Sequence, residues 1–187
     1  MDKWINTREL FTDWVAEFGT NANNVSTRGV FEIKGPLSSY VRTGGEFIIR
    51  SGNGSSTVGA LNIDEPGIFS ESGTSQITFD AVGEVGIYST EVLNDINIVN
   101  GDAEVVVTGL KANTVTIGTG ASLNGKDLNI EIYKAWNNNE GLAGFSAGDL
   151  GAITDALFTT AGDIVTMTGD TEFNNFSNLS STSLDLD

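Results

Sequence analysis

The sequence predicts a mainly β protein: a β-helix-like solenoid of roughly 19-residue units, closed at each end by a short capping helix. Three observations lead there. Val58-Gly59-Ala60, Ile77-Thr78-Phe79, Ile96-Asn97-Ile98 and Val115-Thr116-Ile117 each place two apolar side chains two residues apart, and their first members recur at a constant step of 19. Apolar residues at i and i+2 share one face of a strand, and a fixed period suggests stacked units with a common core. A looser series follows in Val85 and Ile87, Val105 and Val107, Ile130 and Ile132. Asn94 and Asn113 are also 19 apart, where asparagines aligned at a corner can hydrogen-bond up a stack. The third observation is composition: 23 glycines against two prolines fit a β protein with many tight turns. The alternative is an antiparallel β-sandwich. Asn100-Gly101 lies between alternating apolar runs, as a two-residue hairpin turn would, and Asn124-Gly125 and Asn53-Gly54 could do the same.

Taken in order, residues 1–20 read as an N-terminal amphipathic anchor or cap helix. Asn6 and Glu9 have capping-box spacing, Ile5 and Leu10 fit the hydrophobic staple, and Gly19 supplies a stop. Phe11, Trp14, Val15 and Phe18 would line one face, either as a lid over the end of the β core or as a docking surface. The β body spans 27–135, beginning with strands at Val30–Ile33 and Glu46–Arg50 around a Gly35-Pro36 turn. Ser51–Thr57 reads as a loop. The segment 145–187 is predicted as a capping helix, one strand and a polar tail. Ser146 would cap that helix, Phe145 and Leu150 would staple it, and Ile153, Leu157 and Phe158 would extend its buried stripe. The strand is Ile164–Met167, and the Ser, Thr, Asn and Asp-rich tail reads as an arm outside the core.

Composition excludes several chemistries. The 187 residues contain no cysteine and no histidine, which removes disulfides, thiolate metal sites and the usual general base near neutral pH. A net charge of −16 and the lack of a basic patch argue against nucleic-acid and anionic-membrane partners. No apolar run approaches the ~18 residues that span a membrane, and the N-terminus lacks the pattern of a cleaved leader. Ser39 has no neighbour suited to activate it, and Gly52-Asn53-Gly54 lacks the Lys of a phosphate loop. Asp80, Asp95 and Asp102 are the candidate carboxylates for glycan cleavage, with Trp136 or Tyr88 to stack a sugar. Asp149, Asp155, Asp163, Asp170 and Glu172 could offer oxygens to calcium, but none fits a known loop pattern. The sequence therefore predicts no enzyme, no catalytic residue, no cofactor and no metal site.

The aromatic terminal helix, the Gly, Asn, Ser and Thr-rich β body, the acidity and the polar tail together resemble the small structural proteins of tailed bacteriophage virions. The similar types are tail-fibre, spike and capsid-decoration subunits. The resemblance is one of style over the whole chain and carries no motif. It implies a non-enzymatic virion subunit, commonly a homotrimer, held to capsid or tail proteins by Trp4, Phe11, Trp14, Val15 and Phe18. The alternative function is a carbohydrate-binding adhesin or receptor-binding module.

Overall fold

A computed structural model describes residues 4–5, 17–19, 25–28, 30–33, 39–50, 60–64, 68–148, 155–158, 165–173, 175–178 and 184–186. The protein is mainly β. Its early strands are β1 (Trp4–Ile5), β2 (Glu17–Gly19), β3 (Val25–Thr27), β4 (Phe31–Ile33), β5 (Ser39–Arg42), β6 (Glu46–Ile49), β7 (Leu61–Ile63) and β8 (Ile68–Glu71). Long strands follow: β9 (Gln76–Ser89), β10 (Leu93–Val105), β11 (Leu110–Ile117), β12 (Ala121–Asn124) and β13 (Ile130–Asn138). The last are β14 (Phe145–Ser146), β15 (Asp155–Phe158), β16 (Val165–Thr168), β17 (Asn175–Asn178) and β18 (Leu184–Leu186). The sole helical element among the described residues is a 3₁₀ turn at Gly141–Ala143.

Every strand pairing among the described residues is parallel, in one 15-stranded sheet and one 3-stranded sheet. The strands fall into three ranks. In the first, Phe47, Ile77, Ile96, Val115, Trp136 and Met167 are successive register partners. In the second, Val85, Ala103, Leu123 and Phe145 are. In the third, Leu110 pairs with Ile130 and Ile130 with Ala156, while β2, β5 and β8 pair in turn in the separate smaller sheet. Alternation sends Ile77 and Phe79, Ile96 and Ile98, and Val115 and Ile117 into one buried core.

The 19-residue step thus holds for Ile77, Ile96 and Val115. It fails at its first member. Phe47, 30 residues before Ile77, fills the slot predicted for Val58, and strands β7 and β8 lie within that longer step. Val58 itself lies outside the described residues. The next step, from Val115 to Trp136, is 21. Here the second inward position is Asn138, 2% exposed, and its Nδ2 donates to the carbonyls of Gly141 and Asp170, each at 2.8 Å. A buried amide survives in this core because its donors are met.

The looser series is corrected. Val85 and Ile87 do pair with Ala103 and Val105, but Ile130 and Ile132 belong to the third rank, and Val107 stands outside at a corner. Asn100-Gly101 makes no hairpin. It sits within β10 at a register shift, with Gly101 at φ 85, and glycine is required there because a side chain would also run into the Ala81 carbonyl. The paired asparagines are borne out: Asn113 Nδ2 donates to Asn94 Oδ1 at 2.7 Å.

Among the described residues neither predicted capping helix appears, and residues 6–16 and 149–154 lie outside them. Trp4–Ile5 and Glu17–Gly19 are strands that pair with β3 and β5, and Asp155–Phe158 pairs with β13. Local capping signals are worth about 1 kcal/mol each, and the parallel edges of β3, β5 and β13 offer a row of backbone partners that outweighs them. The predicted strands at Val30–Ile33, Glu46–Arg50 and Ile164–Met167 appear as β4, β6 and β16. The polar tail joins the sheet as well, through β17 on β15 and β18 on β16. In place of helical lids, aromatic clusters fill the core: Phe31, Tyr40, Phe47 and Phe69 early in the chain, Trp136, Phe145 and Phe173 late.

Candidate functional site

Chemistry-bearing side chains converge on the outer face of the second rank. With Val85, Ala103 and Leu123 turned to the core, their neighbours point outward. Glu84, Asp102 and Ser122 are consecutive register partners, and so are Gly86, Glu104, Asn124 and Ser146. Gly86 aside, these residues line an open groove of about 270 Å³ together with Lys126. Ser122 Oγ donates to Asp102 Oδ1 at 2.7 Å, which fixes one carboxylate within the row.

Glu104 is the anchor of the groove. It is 6% exposed, and Lys126 Nζ meets its Oε2 at 2.8 Å. Lys126 is delivered by a tight turn in which both Lys126 (φ 51) and Asp127 (φ 58) are left-handed. The turn is closed by the Leu128 N–H on the Gly125 carbonyl at 2.9 Å, and Lys126 N–H donates to Asn124 Oδ1 at 2.9 Å. Asp127 N–H reaches the Ala147 carbonyl at 2.8 Å, which pins the turn to the following segment. The outcome is a polar trough with acceptors in excess, suited to hydroxyl and amide donors.

The proposed carboxylate series does not stack. Asp80 pairs in register with Asn100, Asp95 with Gln76 and Thr114, and only Asp102 reaches the groove. Asp80 instead faces Arg50 at 3.9 Å. Trp136 is 0% exposed, with its indole N–H on Thr171 Oγ1, so it offers no face to a sugar. Tyr88 donates to Asp64 Oδ1 at 3.0 Å, and burial, then that carboxylate, raises its phenol above the ordinary value. Among the described residues no group of three His, Cys, Asp or Glu is placed to hold a metal ion, and Asp149 and Asp163 lie outside them.

Of the candidate partner-binding residues, Trp4 lies in β1 and Phe18 in β2, whereas Phe11, Trp14 and Val15 lie outside the described residues. Apart from Asp102, the groove residues were missed in the sequence because outward polar positions of separate strands look like any solvated face. One signal was legible: Glu104 interrupts the apolar run from Ala103 to Val107. Among the described residues no helix is long and apolar enough to cross a membrane. Comparison with protein families, curated proteins and solved structures finds no match to this chain.

Proposed function

We propose that the chain winds as a three-sided β-solenoid and serves as a non-enzymatic structural subunit of a virion, of the fibre, spike or capsid-decoration kind. The observation that carries this reading is the continuity of the parallel stack. Fifteen of the described strands, from Trp4–Ile5 through Leu184–Leu186, join one sheet, and the other three, β2, β5 and β8, pair in parallel with one another. Side-chain ladders stiffen the exterior. Asn137 Nδ2 donates to Thr116 Oγ1 at 3.2 Å, and Thr168 Oγ1 donates to Asn137 Oδ1 at 3.1 Å. A stiff, acidic rod suits projection from a larger particle, and the homotrimer and the capsid or tail partners belong to the same proposal. Trp4, Phe11, Trp14, Val15 and Phe18 are its proposed contact residues.

Light scattering on the purified protein tests it. A trimer with the hydrodynamic drag of an elongated particle is expected, and a monomer that also fails to bind capsid or tail proteins overturns it. A second reading, carbohydrate binding, draws on the groove around Glu104 and Lys126, whose acceptors match sugar hydroxyls. A glycan array would give a specific signal that Lys126→Ala abolishes, and a blank array removes that reading.

A further inference from the structure

Away from the groove, a half-buried ionisable group sits in the seam between strands. Glu71 closes β8, and its register partner on β5 is Arg42, itself 2% exposed. Arg42 Nη1 donates to the Tyr40 hydroxyl at 3.4 Å and its Nε to the Gly44 carbonyl at 3.3 Å. On the other side, the Asn94 backbone N–H donates to Glu71 Oε2 at 3.1 Å. The second oxygen, Oε1, is buried and has no hydrogen-bond partner. Asn94 is also the hub of the corner: its Nδ2 donates to the Ser75 carbonyl at 2.8 Å, and its Oδ1 accepts from Asn113 at 2.7 Å. One carboxyl therefore touches the side-chain link that ties three successive coils together.

We infer that Glu71 is a proton-operated clasp: neutral, it stays sealed between Arg42 and the Asn94 corner; ionised, it draws water into the seam and loosens that corner. An ionised carboxylate with one oxygen unmet and buried is costly, whereas the acid carries no net charge to desolvate. The charged and titratable groups facing it are Arg42 and Tyr40 on β5 and Asp95 on β10. Burial pushes the Glu71 carboxyl up to about 7, Asp95 adds to the rise, and the Asn94 N–H and Arg42 oppose it. Because the folded value lies above the ordinary one of 4.5, the folded state holds a proton that the unfolded chain releases. The associated stability is present in full below that ordinary value and is lost as pH rises to about 7. The chain has no histidine and no cysteine, so, an α-amino group aside, a titration near neutrality points to a perturbed carboxyl.

The experiment compares the full chain with Glu71→Gln at about pH 5.5 and pH 8, on either side of most of this transition. Thermal melting and amide exchange, corrected for the intrinsic pH effect, are the two readouts. The wild type is expected to melt lower at the higher pH and to exchange faster around Glu71 and Asn94. Glu71→Gln should melt alike at both values and keep the low-pH protection. A variant that retains the whole wild-type pH dependence, or a wild type that shows none, overturns the clasp. If Glu71→Gln does not fold, a carbon-13 glutamate titration of the wild type decides. One carboxyl with a midpoint near neutrality supports the clasp, and all carboxyls in the ordinary range overturn it.

Discussion

Val107 holds a backbone conformation that suits its side chain badly. Its φ is 70, it is 62% exposed, and it centres a three-residue turn closed by the Thr108 N–H on the Val106 carbonyl at 2.9 Å. A β-branched residue at positive φ is strained by about 1–2 kcal/mol, and this one contributes little burial in return. Val107→Gly is therefore expected to raise stability by about 1 kcal/mol, read as a higher urea midpoint with unchanged slope. Two residues on, Gly109 has no such freedom, since a Cβ there would strike the Asn129 carbonyl. The Glu104–Lys126 pair behaves differently. Lys126 is 42% exposed while Glu104 is 8% by side chain, so solvent screens the contact from one side only. Lys126→Ala should destabilise by about 1–2 kcal/mol, less than a fully buried pair would lose. Adding Glu104→Gln should recover part of that loss, and chemical denaturation of the single and double variants measures both.

At the scale of the strand, Ile96 shows what the stack depends on. It is buried in the first half of β10, flanked in register by Ile77 and Val115. Ile96→Asp places an unpaired charge among them and is expected to abolish folding, seen as loss of a cooperative melt. The Asn94–Asn113 link is a milder element. A double-mutant cycle with alanine at each position should give a coupling of about 1 kcal/mol, and additive losses would show that the ladder contributes nothing. The same elements explain what could be read in advance. The period was visible at Ile77, Ile96 and Val115 because no residue is inserted between those strands. It blurred before Ile77, where the step is 30 and takes in β7 and β8, and after Val115, where the step becomes 21. The two helices were misread because capping-box spacing is a local pattern, whereas Glu17–Gly19 and Asp155–Phe158 answer to strands distant in sequence. Glu71 carried no sequence signal, since Ser70-Glu71-Ser72 reads as an ordinary polar turn.

At the scale of the whole molecule, assembly is the open variable. Under the proposed virion role, Trp14→Asp is expected to abolish attachment to a parent particle while leaving the melting transition of the free subunit in place, measured by co-sedimentation and calorimetry. Retained attachment would remove the aromatic segment from the contact. The net charge of −16 also sets neighbouring copies against one another, so self-association should strengthen as added salt screens that repulsion. The uniform step between Ile77, Ile96 and Val115 reaches further still. The segment from Asp95 to Asn113 carries an inward pair, an outward rank and one corner asparagine, and it begins and ends at the same point of the pattern. A duplicate of it inserted after Asn113 meets the same neighbours that the original meets. In the proposed solenoid, reach is then a matter of copy number, adding about 4.8 Å per duplicate, and a gene can lengthen such a protein by repetition without redesigning either end.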